Sequence, residues 1–77
     1  METPISHLKE GATATIQRLE GGPVFQRKLR TIGIREGKTI RVVTKHPLGG
    51  PLVIDIDGRE TTIGRGMSQR IFVSNHA

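Results

Sequence analysis

Two Gly-Gly-Pro segments, Gly21-Gly22-Pro23 and Gly49-Gly50-Pro51, are the first places where residue type and spacing could do chemistry, because glycine-rich turns can bring backbone N–H groups onto a phosphate. A phosphate cradle also needs a helix N-terminus aimed at the anion, with a lysine or serine close by. The stretch "HPLGGP" (46–51) runs instead into β-branched residues that read as a strand. The stretch "GGPVFQRK" (21–28) does run into a helix, yet it lacks the G-x-x-x-x-G-K spacing, and Pro23 has no N–H to offer. Nucleotide binding is therefore not expected.

Metal and nucleophile chemistry are equally short of material. His7, His46 and His76 are far apart in sequence, and cysteine is absent. His46 could meet Asp55 or Asp57 across a hairpin, but a cation site needs three or four converging ligands, so His46 is expected to be an exposed loop residue and no metal or cofactor is assigned. Ser6, Ser68 and Ser74 have no local histidine and acid arranged around them, and no carboxylate pair sits in an evident apolar cleft. The chain is not expected to be an enzyme.

What remains is charge. Lys and Arg number 12 against 7 Asp and Glu, a formal net charge of +5. Arg27, Lys28, Arg30, Arg35, Lys38, Arg41 and Lys45 crowd into one stretch that contains a single acid, Glu36. Such a field attracts nucleic acid, anionic lipid or an acidic protein surface, although solvated cations also serve solubility alone. Single-strand binders stack bases on aromatic rings, and this chain has only Phe25 and Phe72, with neither Tyr nor Trp. The same poverty argues against a proline-peptide groove.

The elements that must position these residues are short. A chain of 77 residues forms one domain, here expected over 1–77 with its core from about Ile5 to Ser74, and buries roughly 60% of its unfolded surface. No apolar run approaches the ~18 residues of a membrane span, and the acid and proline of "METPISHLKEG" do not make a signal peptide, so a cytoplasmic place without membrane insertion is expected.

In "GATATIQRL" Ala12, Ala14 and Ile16 alternate with Thr13, Thr15 and Gln17, which predicts a first strand. Pro23 suits the first turn of a following helix, in which Phe25, Leu29 and Ile32 fall on one stripe. Gly33 stands where a left-handed residue ends a helix, with Ile34 placed to pack back on Leu29, and Gly37 turns the chain again. "TIRVVTK" and "PLVIDID" predict two more strands with Ile40, Val42, Leu52, Ile54 and Ile56 inward. Asp57-Gly58 signals a two-residue hairpin into "RETTI", aligning Leu52 with Ile63 and Ile54 with Thr61. That register also sets Asp55 opposite Glu60, a repulsion that a longer loop would avoid. "GRGMSQR" reads as a loop with one 3₁₀ turn, and "IFVS" closes the domain with Ile71 and Val73 inward. Five short strands with one helix after the first describe a small, mainly β barrel, closed or nearly so.

Three stretches in order, "RKLRTIGIREG", "LGGPLVIDIDG" and "IGRGMSQRIFV", resemble the FeoA family of ferrous iron transport proteins, whose pattern is a basic-Leu-x-x-Leu-Gly-Leu-x-x-Gly stretch, a Gly-Gly-Pro-Leu stretch and a terminal Ala-x-x-Ile-x-Val. The chain departs from it at Ile32 and Ile34, where leucines are common, and at Ser68, where alanine is usual; a buried Ser68 would need a hydrogen-bond partner. The resemblance implies an SH3-like barrel. It implies an accessory protein of ferrous iron uptake, at most peripheral at the inner face of the cytoplasmic membrane, whose partner is the inner-membrane ferrous iron transporter with its cytosolic guanine-nucleotide-binding region. A related barrel ends iron-dependent repressors, but their DNA-binding and metal-binding domains are missing here. Lys28 and Arg30 from the basic stretch and Leu48, Gly49, Gly50 and Pro51 from the turn are the candidate partner contacts, while Gly33, Gly37, Asp57 and Gly58 are assigned to turns and caps. A nucleic-acid-binding barrel and a weak ferrous iron chaperone are the alternatives, and weak self-association stays open.

Overall fold

The alternation in "GATATIQRL" yields a strand, with Ala14 and Ile16 buried and Thr13 and Gln17 exposed. In a computed structural model that describes residues 2–75, it is the second strand, β2 (Thr13–Leu19). A three-residue strand, β1 (Glu2–Pro4), precedes it. The helix α1 (Pro23–Thr31) follows, then β3 (Thr39–Lys45), β4 (Leu52–Ile56), β5 (Arg59–Ile63), a single helical turn α2 (Arg65–Ser68) and β6 (Ile71–Asn75).

Two expectations need correction. There are six strands, so the helix follows the second strand, and the sheet is not closed: its antiparallel order is β1-β6-β2-β3-β4-β5, with β1 and β5 left as unpaired edges. The physical reason is local. β1 pairs Glu2 with Ser74 and Pro4 with Phe72, and an edge strand tolerates the proline that hides it from a search for alternation. A 3₁₀ turn at Ile5–His7 then carries Ile5 and Leu8 into the core.

The core is aliphatic, and most of it comes from strand positions where β-branched side chains fit a pleated surface. Two bulges keep it apolar. Against β6, β2 inserts one extra residue between Ile16 and Arg18, so that Leu19 rather than Arg18 turns inward after Ile16. β3 does the same against β4 between Val42 and Thr44.

The helix stripe is as expected, with Leu29 fully buried and Phe25 and Ile32 partly buried against the core. Gly33, at φ +90°, ends it in a Schellman arrangement: its N–H donates to Arg30 O at 3.0 Å, and the Ile34 N–H reaches back to Leu29 O at 2.9 Å. Gly37, at φ +89°, donates to Ile16 O and so ties the next turn to β2.

The β4–β5 hairpin takes the two-residue loop, pairing Leu52 with Ile63, Ile54 with Thr61, and Asp55 with Glu60. Asp55 is tolerated there because Arg41 lies opposite it on β3, with its guanidinium 4.0 Å from the carboxylate. Residues 65–68 form one α-helical turn rather than the expected 3₁₀ turn. Buried Ser68 has the partner it needs, its hydroxyl donating to Arg65 O at 2.7 Å.

Candidate functional site

The β3–β4 connection is a turn, and its geometry explains every residue in it but one. His46 N–H donates to Pro51 O at 3.1 Å and Gly50 N–H to Pro47 O at 3.3 Å. Between them Leu48 and Gly49 take φ of +60° and +76°, the pair of positive values that a type I′ turn demands. Gly49 supplies its value without steric cost. Gly50 has no room for a side chain, since a Cβ there would lie 2.8 Å from His46 Cβ. Pro51 sits just ahead of β4, where its missing N–H disturbs no ladder bond.

Leu48 is the exception. Outside glycine, L-residues resist the left-handed region, by about 1–2 kcal/mol, and the usual non-glycine occupants are Asn and Asp. Leu48 adopts it with a relative exposure of 103%, so no burial compensates.

Behind the turn stands a residue that sequence reading did not single out. Arg65, from α2, donates through Nε to Gly50 O at 3.0 Å and through a terminal nitrogen to His46 O at 3.1 Å. One guanidinium thus holds the carbonyls on both sides of the Leu48 tip. No local signal marks Arg65, because its partners lie 15 and 19 residues away.

The basic stretch is less uniform than its composition suggests. Arg30 faces Glu36 at 3.3 Å, Lys38 pairs with Asp57 at 3.0 Å, Arg41 approaches Asp55, and the Lys45 ammonium donates to Ser6 O at 3.0 Å. Among the described residues Arg27 and Lys28 on α1, and Arg35 beyond it, are exposed cations with no side-chain partner. Of the two basic residues proposed for partner binding, Lys28 is therefore free and Arg30 is engaged.

Both rings are covered by cations. The Arg70 guanidinium lies 5.2 Å from the Phe25 centroid, and that of Arg18, anchored by Glu2 and Glu20, lies 4.2 Å from Phe72. One face of each ring is thus taken by a guanidinium. His46 and Asp57 lie at opposite ends of β4, and no group of three or more His, Asp or Glu that could hold a metal ion occurs among the described residues; His76 lies outside them. The Ser74 hydroxyl accepts from Gln17 at 3.1 Å, and Ser68 is spent on its own helical turn. Two shallow depressions of about 280 and 270 Å³ border α1, one lined by Pro23, Gln26, Arg27 and Arg30, the other by residues of the α1 end and β5. Neither gathers catalytic groups. No helix among the described residues is long and apolar enough to cross a membrane.

The FeoA domain family matches residues 3–75. The chain belongs to the FeoA family. It is 28% identical over 72 residues to the putative Fe(2+) transport protein A of Methanocaldococcus jannaschii, covering 94% of this chain and 85% of that protein. The crystal structure of an iron uptake regulatory protein (FeoA) superposes with a TM-score of 0.88 at 29% identity over 97% of each chain. A manganese-dependent transcriptional repressor in complex with manganese matches with a TM-score of 0.89 at 25% identity, but there the likeness covers 96% of this chain and only 36% of the repressor. The six-stranded sheet is the SH3-like FeoA fold.

Proposed function

We propose that this FeoA-family chain is a non-enzymatic accessory protein of ferrous iron uptake that works by docking onto the cytosolic region of the ferrous iron transporter. Family membership supports the iron-uptake setting. The observation that supports docking is the outer face of α1, where Arg27 and Lys28 stand without acidic partners and Arg35 extends the charge past the helix end. Lys38 and Arg41 nearby pair with Asp57 and Asp55, so within the basic stretch Arg27, Lys28 and Arg35 carry the unpaired charge, which suits an acidic protein surface. The covered faces of Phe25 and Phe72 weigh against the nucleic-acid alternative.

Charge of this kind steers encounter more than it sets final affinity. The test is association of the purified chain with the purified cytosolic region of the transporter at low and high salt. Lys28→Glu should slow association by several-fold at low salt and by much less at high salt. Arg30→Glu should act as strongly or more so, because it also sets a second carboxylate beside Glu36. Submicromolar, strongly salt-dependent binding to mixed oligonucleotides, with none to the transporter region, would replace this reading by the nucleic-acid one.

A further inference from the structure

Leu48 combines three properties that no intramolecular role accounts for. It is fully exposed, it occupies the left-handed region, and the chain around it is tied by hydrogen bonds. The Arg65 guanidinium fixes the carbonyls of His46 and Gly50, two further bonds close the turn, and Gly50 is held against His46 where a Cβ would collide. A flexible loop would let an exposed leucine fold back onto the surface. This one keeps it pointing away.

We propose that Leu48 is a preset apolar anchor that enters a leucine-sized pocket on a partner protein, and that Arg65 is the positioning residue that holds it in the binding pose. The inference deepens the docking function above and rests on it. A backbone already held in its bound conformation has little further freedom to lose on association, so the single residue it presents can contribute much of the affinity.

The occupant's identity follows from what this chain lacks. Among the described residues the exposed large hydrophobics are Val24 and Leu48 alone, and the depressions beside α1 are lined mainly by polar and charged side chains. Neither of these depressions on a second copy is an apolar pocket for the leucine. The pocket belongs to a different protein, which on the reading above is the cytosolic region of the transporter.

The experiment is binding of the purified chain to the purified cytosolic transporter region, with melting temperature and sedimentation velocity measured on every variant. Leu48→Asn suits the left-handed backbone and should weaken binding by about tenfold or more without lowering the melting temperature. Arg65→Ala removes no group from the tip itself, yet should weaken binding several-fold and raise the backbone mobility of residues 46–50 in NMR relaxation. Arg65→Lys, which cannot span both carbonyls, should rescue little of it. Undiminished binding by Leu48→Asn beside a binding wild type overturns the anchor and leaves the docking function standing. Absence of binding by the wild type overturns both. A self-associated form that Leu48→Asn dissolves would make a second copy the occupant and overturn the assignment of the pocket.

Discussion

The connection at each end of β4 contains a turn with two successive positive φ values, and the two can be compared residue by residue. Asp57 and Gly58 take φ of +54° and +78°; Leu48 and Gly49 take +60° and +76°. At the first, the non-glycine residue is one whose short polar side chain tolerates the left-handed region, and its carboxylate meets Lys38 at 3.0 Å. At the second, the same backbone carries a long apolar side chain that touches nothing. Folding alone accounts for Asp57. The requirements of the Leu48 turn fall on its neighbours instead, and the identity of the residue at the tip is the one feature that stability does not select.

The comparison predicts how far strain, crowding and side-chain identity can be separated. Gly33 calibrates strain by itself, since a Cβ there would meet only a flexible Arg59 nitrogen at 3.7 Å while φ stays at +90°. Gly33→Val should therefore cost about 2–3 kcal/mol, through left-handed strain in a β-branched residue and loss of the Schellman bonds, and lower the melting temperature by roughly 10 °C or more. A variant melting with the wild type would show that the helix end can be rebuilt without a left-handed residue. Gly50→Ala isolates crowding, because φ is not positive there and the 2.8 Å approach to His46 is the obstacle. A loss of about 1–2 kcal/mol is expected, with faster amide exchange at Gly50 and His46 as the turn opens.

Asp57→Leu transplants the anomaly. It puts the residue of one turn into the other, removing an exposed ion pair and an acceptable left-handed side chain together. The expected cost is about 1 kcal/mol, or a melting temperature lower by roughly 4–8 °C. An unchanged melting temperature would mean that leucine is no worse than aspartate at these φ values, and Leu48 would cease to be anomalous.

These turns also mark how much could be read from the sequence. The register of β4 against β5 was legible because Asp57-Gly58 specifies a turn length and the alternation of Leu52, Ile54 and Ile56 specifies a face. The end of α1 was legible because Gly33 has one job there. β1 was not, since three residues ending in proline carry no periodicity, and their place is set by pairing with β6 at the far end of the chain. Sheet closure was illegible for a related reason: it depends on whether the two edge strands meet, which no local pattern encodes. Of the site, the Gly/Pro turn and its unexplained leucine were visible, whereas the Arg65 brace and the neutralising of Lys38 and Arg41 by Asp57 and Asp55 arise only when the fold brings distant residues together.

The smallest stability effect is expected where the functional effect is largest. Leu48→Asn exchanges an unfavourable left-handed residue for a favoured one, and the exposed side chain leaves no cavity behind. Relief of part of the left-handed cost should stabilise the domain by about 0.5 kcal/mol, raising the melting temperature by roughly 2–4 °C. Leu48→Asp should stay within about 4 °C of the wild type, as an exposed change of no more than ~0.5 kcal/mol. Thermal denaturation followed by circular dichroism resolves shifts of this size. A fall of more than about 5 °C for Leu48→Asn would show that the leucine has a structural contact, removing the contrast between the two ends of β4. A rise, together with weaker binding to the transporter region, would mean that this position holds a residue costly to the fold because its surface is needed elsewhere, the trade between stability and function that strained sites display.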